Sequence, residues 1–579
     1  MSVFLTVASN EKKRNIIEDF FQKYNHFSPS PVKVKDIYVF GCKPPYAKGC
    51  AIDHDERRFI FFNEEKEVSS LVNSRSFYDG FFVSVTEDEG TISVKNDFWG
   101  QVPKFYFSEN GVSACSDSLY LITELRKHIG FPCVPNEEIV LAKSWIGKSS
   151  LVEQIFSEET IVSDVFYCPP GSDIKIDSVM GQPYLSVERK LAASIFLSGC
   201  ESYQDLIKSS AQKIIDLSAT YLAANKADNI LWLSGGLDSR LVLASFLNVD
   251  PGARSFRVKT NDFNTPDGEN VKLLSESYKF PLNKRFPPSH IVSDSHEISN
   301  LKLWMLFSAG CYDPLHLSGS TMRGTSIPKP VHFHFTGHGA ELFKGNYGFK
   351  SLENVILGSE TVANKDAGYV FLEKCLTALN GLGFDADTPF GSEWHYLAYR
   401  NAIHSGRSIT TNLIAPRVLF SKELVSLSRQ SKLIEKAGPG FVNIAYDLLI
   451  AMSSSMAEFP FAEKYKNISK ENVYQRYNFL GIENKIEASP YSIIGKPSDV
   501  PSPMSDFADN VASRHYDLEM DAKACKDLAI SGYEKLPSWL RRAHEFSLNT
   551  TCSEASFVFP RGGISSCSAG RLMSFTLFD

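Results

Sequence analysis

The chain has 579 residues, 43% hydrophobic and 22% charged, with a formal net charge of −7. At roughly 100–200 residues per domain it should hold two to four domains of ordinary globular composition. The acidic balance argues against nonspecific nucleic-acid or membrane-surface binding, which needs a basic face.

In chain order, the opening MSVFLTVASNEKKRN carries only a short apolar stretch before charge arrives, so no signal peptide is expected. No apolar run reaches the ~18 residues of a membrane-spanning helix. The 11 cysteines are scattered without a C-x-x-C pair. Reduced thiols in a cytoplasmic protein are the expectation.

The N-terminal part, 1–195, reads as β-rich. Runs at 57–63 (RRFIFFN), 80–86 (GFFVSVT), 91–97 (TISVKND) and 104–111 (KFYFSENG) alternate with Gly, Asn and Asp turns. YCPPGSDIKIDS (167–178) reads as a turn and a further strand. The character then changes, and 200–490 reads as a second domain. Residues 202–227 place Leu206, Ile214, Leu217 and Tyr221 near helical spacing. NILWLS (229–234) is a continuous apolar run suited to a buried parallel strand, and 239–248 is a helix. Strands at 254–259 (RSFRVK) and 330–337 (PVHFHFTG), with a helix at 268–280, continue the alternation. Such alternation predicts a parallel sheet with helices on its faces. The remainder, 491–579, is a C-terminal extension with a helix expected around 518–530 and an irregular tail.

The segment that carries chemistry is Leu233-Ser234-Gly235-Gly236-Leu237-Asp238-Ser239, between a buried strand and a helix. Glycines allow close backbone approach to an anion, and the helix start offers N–H groups and a positive dipole end. Ser234 and Ser239 add hydroxyls. The Asp238 carboxylate among phosphates requires Mg2+ between them. The Gly-Lys-Ser/Thr ending of a Walker A loop is absent, so the loop should hold the pyrophosphate part of ATP. The plain alternative is a glycine-rich strand–helix turn with no ligand. The full order of strand, loop and helix favours the phosphate site.

S-G-G-L-D-S resembles the loop of the ATP pyrophosphatases, in particular the asparagine synthetase, β-lactam synthetase and lasso peptide cyclase group. RSFRVK resembles the next strand, whose backbone near Val258 contacts adenine in that family. FTGHGAELFKGNY (335–347) resembles the second phosphate-side loop, with Thr336 and Gly337 matching its nucleotide-contacting pair. Glu341 stands where the family has a Mg2+-binding Asp. IAPRVLFSKELV (414–425) resembles the motif after the substrate helices, and FPFAEKYKN (459–467) the loop with a catalytic lysine. Lys466 aligns best with that lysine, with Lys464 the alternate. Taken without the family, either is a solvated surface charge.

The stretch 78–119 resembles the glutaminase domain of asparagine synthetases, so the resemblance covers most of 60–480. Glutaminase chemistry needs an N-terminal Cys, whose thiol and α-amine work together. Here Ser2 stands second and the first cysteine is Cys42. The resemblance therefore implies an adenine nucleotide alpha hydrolase-like α/β domain of ATP pyrophosphatase type. It follows an N-terminal α+β sandwich resembling a degenerate, inactive Ntn glutaminase.

His338, one residue past Thr336-Gly337, matches the G-H-G of some lasso cyclases. It could deprotonate the attacking amine or only hydrogen-bond ATP. Glu373 is its acid partner in the β-lactam synthetase analogy, although a surface Glu on a helix is the plainer reading. His332 and His334 share one strand face and, with His338, faintly resemble metal ligands; strand histidines paired with neighbours are simpler.

The expected activity is ATP- and Mg2+-dependent amide formation through an acyl-adenylate, with lactam or macrolactam closure on a peptide as the leading class. The partners implied are a peptide or small-molecule carboxylate substrate and a maturation protease, with no nucleic acid and no membrane. Asparagine-synthetase-like amidation by ammonia, and a non-catalytic nucleotide-binding or structural protein, are the alternatives. A tRNA-thiolating enzyme would need paired cysteines and a basic face. The segment 285–330 and the chain after 490 are expected to shape the acceptor pocket.

Overall fold

The computed structural model describes residues 4–23, 28–62, 79–147, 150–197, 202–225, 229–260, 265–282, 300–315, 332–407, 413–414, 416–497, 522–553 and 564–579. Ser2, and the parts of the expected acceptor pocket at 285–299, 316–330, 498–521 and 554–563, lie outside them.

The N-terminal strands are β1 (Leu5–Ser9), β2 (Val32–Val34), β3 (Ile37–Gly41), β4 (Tyr46–Asp53), β5 (Arg58–Phe61), β6 (Asp79–Asp88) and β7 (Thr91–Asn96). They continue with β8 (Lys104–Glu109), β9 (Val112–Ser116), β10 (Ile146–Gly147), β11 (Phe166–Cys168), β12 (Asp173–Val179) and β13 (Gln182–Glu188). One six-stranded antiparallel sheet runs β11-β8-β9-β1-β3-β2. A second runs β13-β12-β7-β6-β4-β5, and β13 lies against β1, β8 and β9 of the first. In β12, Ile174 and Ile176 are buried while Lys175 between them is not, the two-residue period of a half-covered sheet. In β6 the first eight residues are all buried, as expected of a strand covered on both faces.

The second part opens with helix α1 (Tyr203–Ala224), capped by the Ser202 hydroxyl accepting from Asp205 N–H at 3.2 Å. Strand β14 (Asn229–Trp232) follows, then α2 (Leu237–Val249), β15 (Arg257–Lys259) and α3 (Pro266–Tyr278). Later come β16 (His332–Phe335), the one-turn helix α4 (Glu341–Lys344), β17 (Thr361–Ala363) and β18 (Leu413–Ile414). The sheet is parallel, in order β15-β14-β16-β18, and the short β10 and β17 pair separately. Ile230 and Leu231 are both buried, so both faces of β14 are covered, and α2 packs against the strand. Strand β15 is shorter than the expected 254–259. The Asp250 carboxylate takes the N–H groups of Arg254 and Ser255 at 2.6 and 2.7 Å, which turns the chain before the strand starts. The architecture is a mixed α/β one, with antiparallel sheets first and a parallel sheet after.

The chain then returns to its beginning. Strand β19 (Ser492–Ile494) adds to β5 in parallel and forms the edge of the second sheet. The helix expected around 518–530 runs over Ala522–Glu534, and the tail after it is helical where the sequence suggests irregularity: Ser538–Ala543, Glu545–Ser553 and Ile564–Ser574. In the last of these Ser565–Ser574 are all buried. Its Arg571 Nε donates to Asp313 at 3.0 Å, and Lys143 Nζ donates to the same carboxylate at 2.9 Å. A Cβ on Gly570 would stand 1.8 Å from the Asp313 carbonyl oxygen, so only glycine allows this approach. No described helix is long and apolar enough to cross a membrane.

Candidate functional site at the carboxyl ends of the parallel strands

In order of appearance the four parallel strands lie 2-1-3-4, so the direction of winding reverses between β14 and β16. At such a reversal the connections leave in opposite directions and open a crevice beyond the strand ends. The two loops at that crevice are 233–236 after β14 and 336–340 after β16. Both were singled out by sequence.

The first loop folds back on itself. Ser234 N–H donates to Ser239 Oγ at 3.0 Å, and the two hydroxyls lie 3.0 Å apart. Gly236 is the N-cap of α2 and has no side chain to bond the first turn, while its own N–H donates to Ser234 Oγ at 3.3 Å. The N–H groups of that turn therefore have no side-chain cap, and the dipole's positive end favours an anion there. Gly235 is buried, and a Cβ on it would come within 2.4 Å of Asp267 Oδ1 and 2.9 Å of Ala462 Cβ. The loop is thus wedged between α3 and the segment around 460.

The second loop meets the first directly. A Cβ on Gly337 would lie 2.5 Å from Ser239 N and 2.7 Å from Asp238 Cβ. Thr336 Oγ1 accepts from His338 N–H and from Arg417 Nη1, each at 3.3 Å. Burial lowers the Arg417 pKa to about 10, which leaves it a cation at neutral pH.

The acidic residues have different partners. Asp238 is 37% exposed, and Lys344 of α4 donates to its Oδ1. Glu341, one turn before Lys344, faces elsewhere. His338 Nδ1 lies 2.9 Å from its Oε1, Gly339 N–H donates to Oε2 at 2.9 Å, and Tyr396 OH donates to Oε1 at 3.3 Å. Burial pushes the Glu341 pKa up, but His338 and the N–H groups of Glu341 and Gly339 outweigh it and hold the carboxyl well below its usual range. Among the carboxylates expected at Mg2+, Asp238 suits the metal of a bound nucleotide, since Mg2+ keeps waters and phosphates and needs few protein oxygens. Glu341, the other carboxylate expected there, bonds His338 with Oε1. Glu373 is exposed on the helix Ala367–Gly381.

His338 also stands edge-on to His404, with ring centres 5.1 Å apart. Tyr396 and Asn401 bound a six-residue π-helical stretch, a widening often found at functional positions. His334 Nδ1 accepts from Trp232 Nε1 at 3.3 Å, and the His332 side chain lies outside the described residues. Among the described residues no group of three or more His, Cys, Asp or Glu is placed to hold a metal. Val258 is buried in β15, paired with Leu231 and bridged to Leu282.

Lys464 and Lys466 sit on a single 3-10 turn. Asn467 closes this loop by accepting Phe461 N–H at 2.7 Å, and Tyr446 OH donates to the Lys466 carbonyl. The Lys466 ammonium bonds to Glu463, which raises its pKa. Sequence reasoning missed the residue that anchors this segment. The Arg240 guanidinium is fully buried and donates to the carbonyls of Phe459 and Pro460 at 2.7 and 2.9 Å and to Asn270 Oδ1 at 2.9 Å. Burial lowers its pKa to about 10. An arginine directly after S-G-G-L-D-S and directly before the apolar run Leu241–Ala244 was the available signal. Lys344 and Arg417 were likewise overlooked, although both lie inside motifs quoted above.

No protein-family model and no curated protein matches this chain.

Proposed function

We propose that the chain is an ATP-dependent ligase that forms a C–N bond through an acyl-adenylate, releasing AMP and pyrophosphate. In this reading the second part is an ATP pyrophosphatase-type domain of the asparagine synthetase group, and the N-terminal sheets are a degenerate glutaminase domain. The supporting observation is the S-G-G-L-D-S loop at the winding reversal, its helix start lacking a side-chain cap and its Asp238 beside Gly337.

Leu233, Ser234, Gly235, Gly236 and Ser239 would hold the pyrophosphate portion of ATP, with Thr336 and Gly337 on the opposite wall and Val258 beside the base. Asp238 would carry Mg2+, which supplies positive charge to the phosphates. A substrate carboxylate oxygen attacks the α-phosphorus, the α–β P–O bond breaks, and pyrophosphate leaves. An amine then attacks the acyl carbon and AMP departs. His338, its Nδ1 held by Glu341, takes the amine proton on Nε2. Lys466 would leave Glu463 to neutralise charge on the reacting oxygens. An amine on the same substrate gains from its high effective concentration, which supports lactam or macrolactam closure on a peptide.

The test is pyrophosphate release by the full chain with ATP, MgCl2 and a panel of carboxylic acids and peptides, with and without ammonium. Release dependent on a peptide alone supports ring closure. Release that needs ammonium supports the asparagine-synthetase-like alternative. Nucleotide binding with no turnover on any acid would favour the non-catalytic alternative, and absence of ATP binding would remove the proposal.

A further inference from the structure

The phosphate loop holds a cation that neither motif reading assigns. We infer that Lys344 is the pyrophosphate-binding ammonium of this site, parked on Asp238 until nucleotide and metal arrive; this rests on the ATP reading above.

Three observations carry it. Lys344 comes from α4, the second loop, yet its ammonium reaches across to Asp238 in the first turn of α2. The contact is short-range because Gly337 lets the two loops abut. Secondly, the other charges nearby are engaged differently: Glu341 with His338, and Lys466 with Glu463 in its own turn. Lys344 is thus the ammonium paired directly with the phosphate loop's carboxylate. Thirdly, the pair is partly exposed, 31% for Lys344 and 37% for Asp238, so its partners can exchange with solvent ions at little cost.

The electrostatics then follow. A bare Asp238 would repel a phosphate chain, and the Lys344 ammonium cancels that repulsion in the ligand-free protein. A divalent ion brought in by the nucleotide competes for the same carboxylate oxygens. Lys344 is displaced, and the nearest anion able to receive it is the β,γ-pyrophosphate at the helix start. Lysine suits this exchange because it is a flexible point charge with three donors.

The experiment measures calorimetric binding of inorganic pyrophosphate and of a non-hydrolysable ATP analogue to the full chain, with and without MgCl2. Wild type, K344M and K344R are compared, each checked for unchanged thermal unfolding. K344M is expected to bind Mg2+–pyrophosphate about tenfold or more weakly, as for loss of a charge-assisted contact, while K344R stays within about threefold. K344M should also show a larger Mg2+ dependence of analogue binding, because Asp238 is then uncompensated. Wild-type affinity retained by K344M overturns the role of Lys344 and leaves the ATP reading standing. No binding by the wild type overturns both.

Discussion

At the scale of single residues, two side chains divide the proposed chemistry. Asp238 is partly exposed and makes its ion pair through Lys344, so D238N should fold normally. It is expected to lower pyrophosphate release by about a hundredfold or more, since a transition-state contact is lost. His338 tests the second half-reaction separately. H338N should reduce amide formation by roughly 10²–10⁴-fold, the usual worth of a general base, while exchange of labelled pyrophosphate into ATP persists. Equal loss of both reactions would mean that His338 only supports the loop. The sequence named both residues because each sits inside a short motif whose spacing carries a mechanism. It could not give their partners. Glu341 was expected at the metal, and its bonds to His338, Gly339 and Tyr396 are side-chain geometry that motif spacing alone leaves open.

At the scale of elements, the loop around 460 is held to α2 by one buried guanidinium. R240M would leave the Phe459 carbonyl and the Asn270 amide oxygen without their guanidinium donor inside the protein, while the Pro460 carbonyl keeps the Asn270 Nδ2 bond at 2.8 Å. The expected cost is about 3 kcal/mol in urea unfolding, together with weaker nucleotide binding as the Lys466 loop loosens. Unchanged stability would show that water replaces those bonds. Most elements here were legible, because β12 alternates over Asp173–Asp177 and β14 is a short apolar run before a glycine loop. The final helix was not. Its Ile-Ser-Ser-Cys-Ser-Ala-Gly sequence has no apolar stripe, and it is buried through close backbone packing and the Asp313–Arg571 pair rather than through large side chains.

At the scale of the whole molecule, acid sensitivity follows from two enclosed imidazoles. His395 and His544 are fully buried, with Nε2 donating to the carbonyls of Phe156 and Val140 at 2.8 and 2.9 Å. Burial lowers their pKa values to about 4 and about 3. Both remain neutral in the native state while the unfolded chain binds protons below pH ~6.5. Their contribution is complete above that pH and is lost as pH falls toward 4 and 3. Urea midpoints should therefore start to drop near pH 6.5, and an H395Q variant should flatten part of that slope. Asp97 acts in the opposite direction. Burial, only partly offset by the Gln101 N–H, raises its carboxyl to about 8. Native stability falls as pH rises from about 4 toward 8, so D97N is expected to be neutral or stabilising at pH 7 and costly at pH 4. The parallel pairing of β19 with β5 has a consequence for synthesis. Phe61 leaves the ribosome roughly 430 residues before Ser492, which at ~5–20 residues per second is a delay of about 20–90 s. Throughout that interval the β5 margin lacks the neighbour it will finally have, and nascent chains are open to chaperone capture or to mispairing with one another.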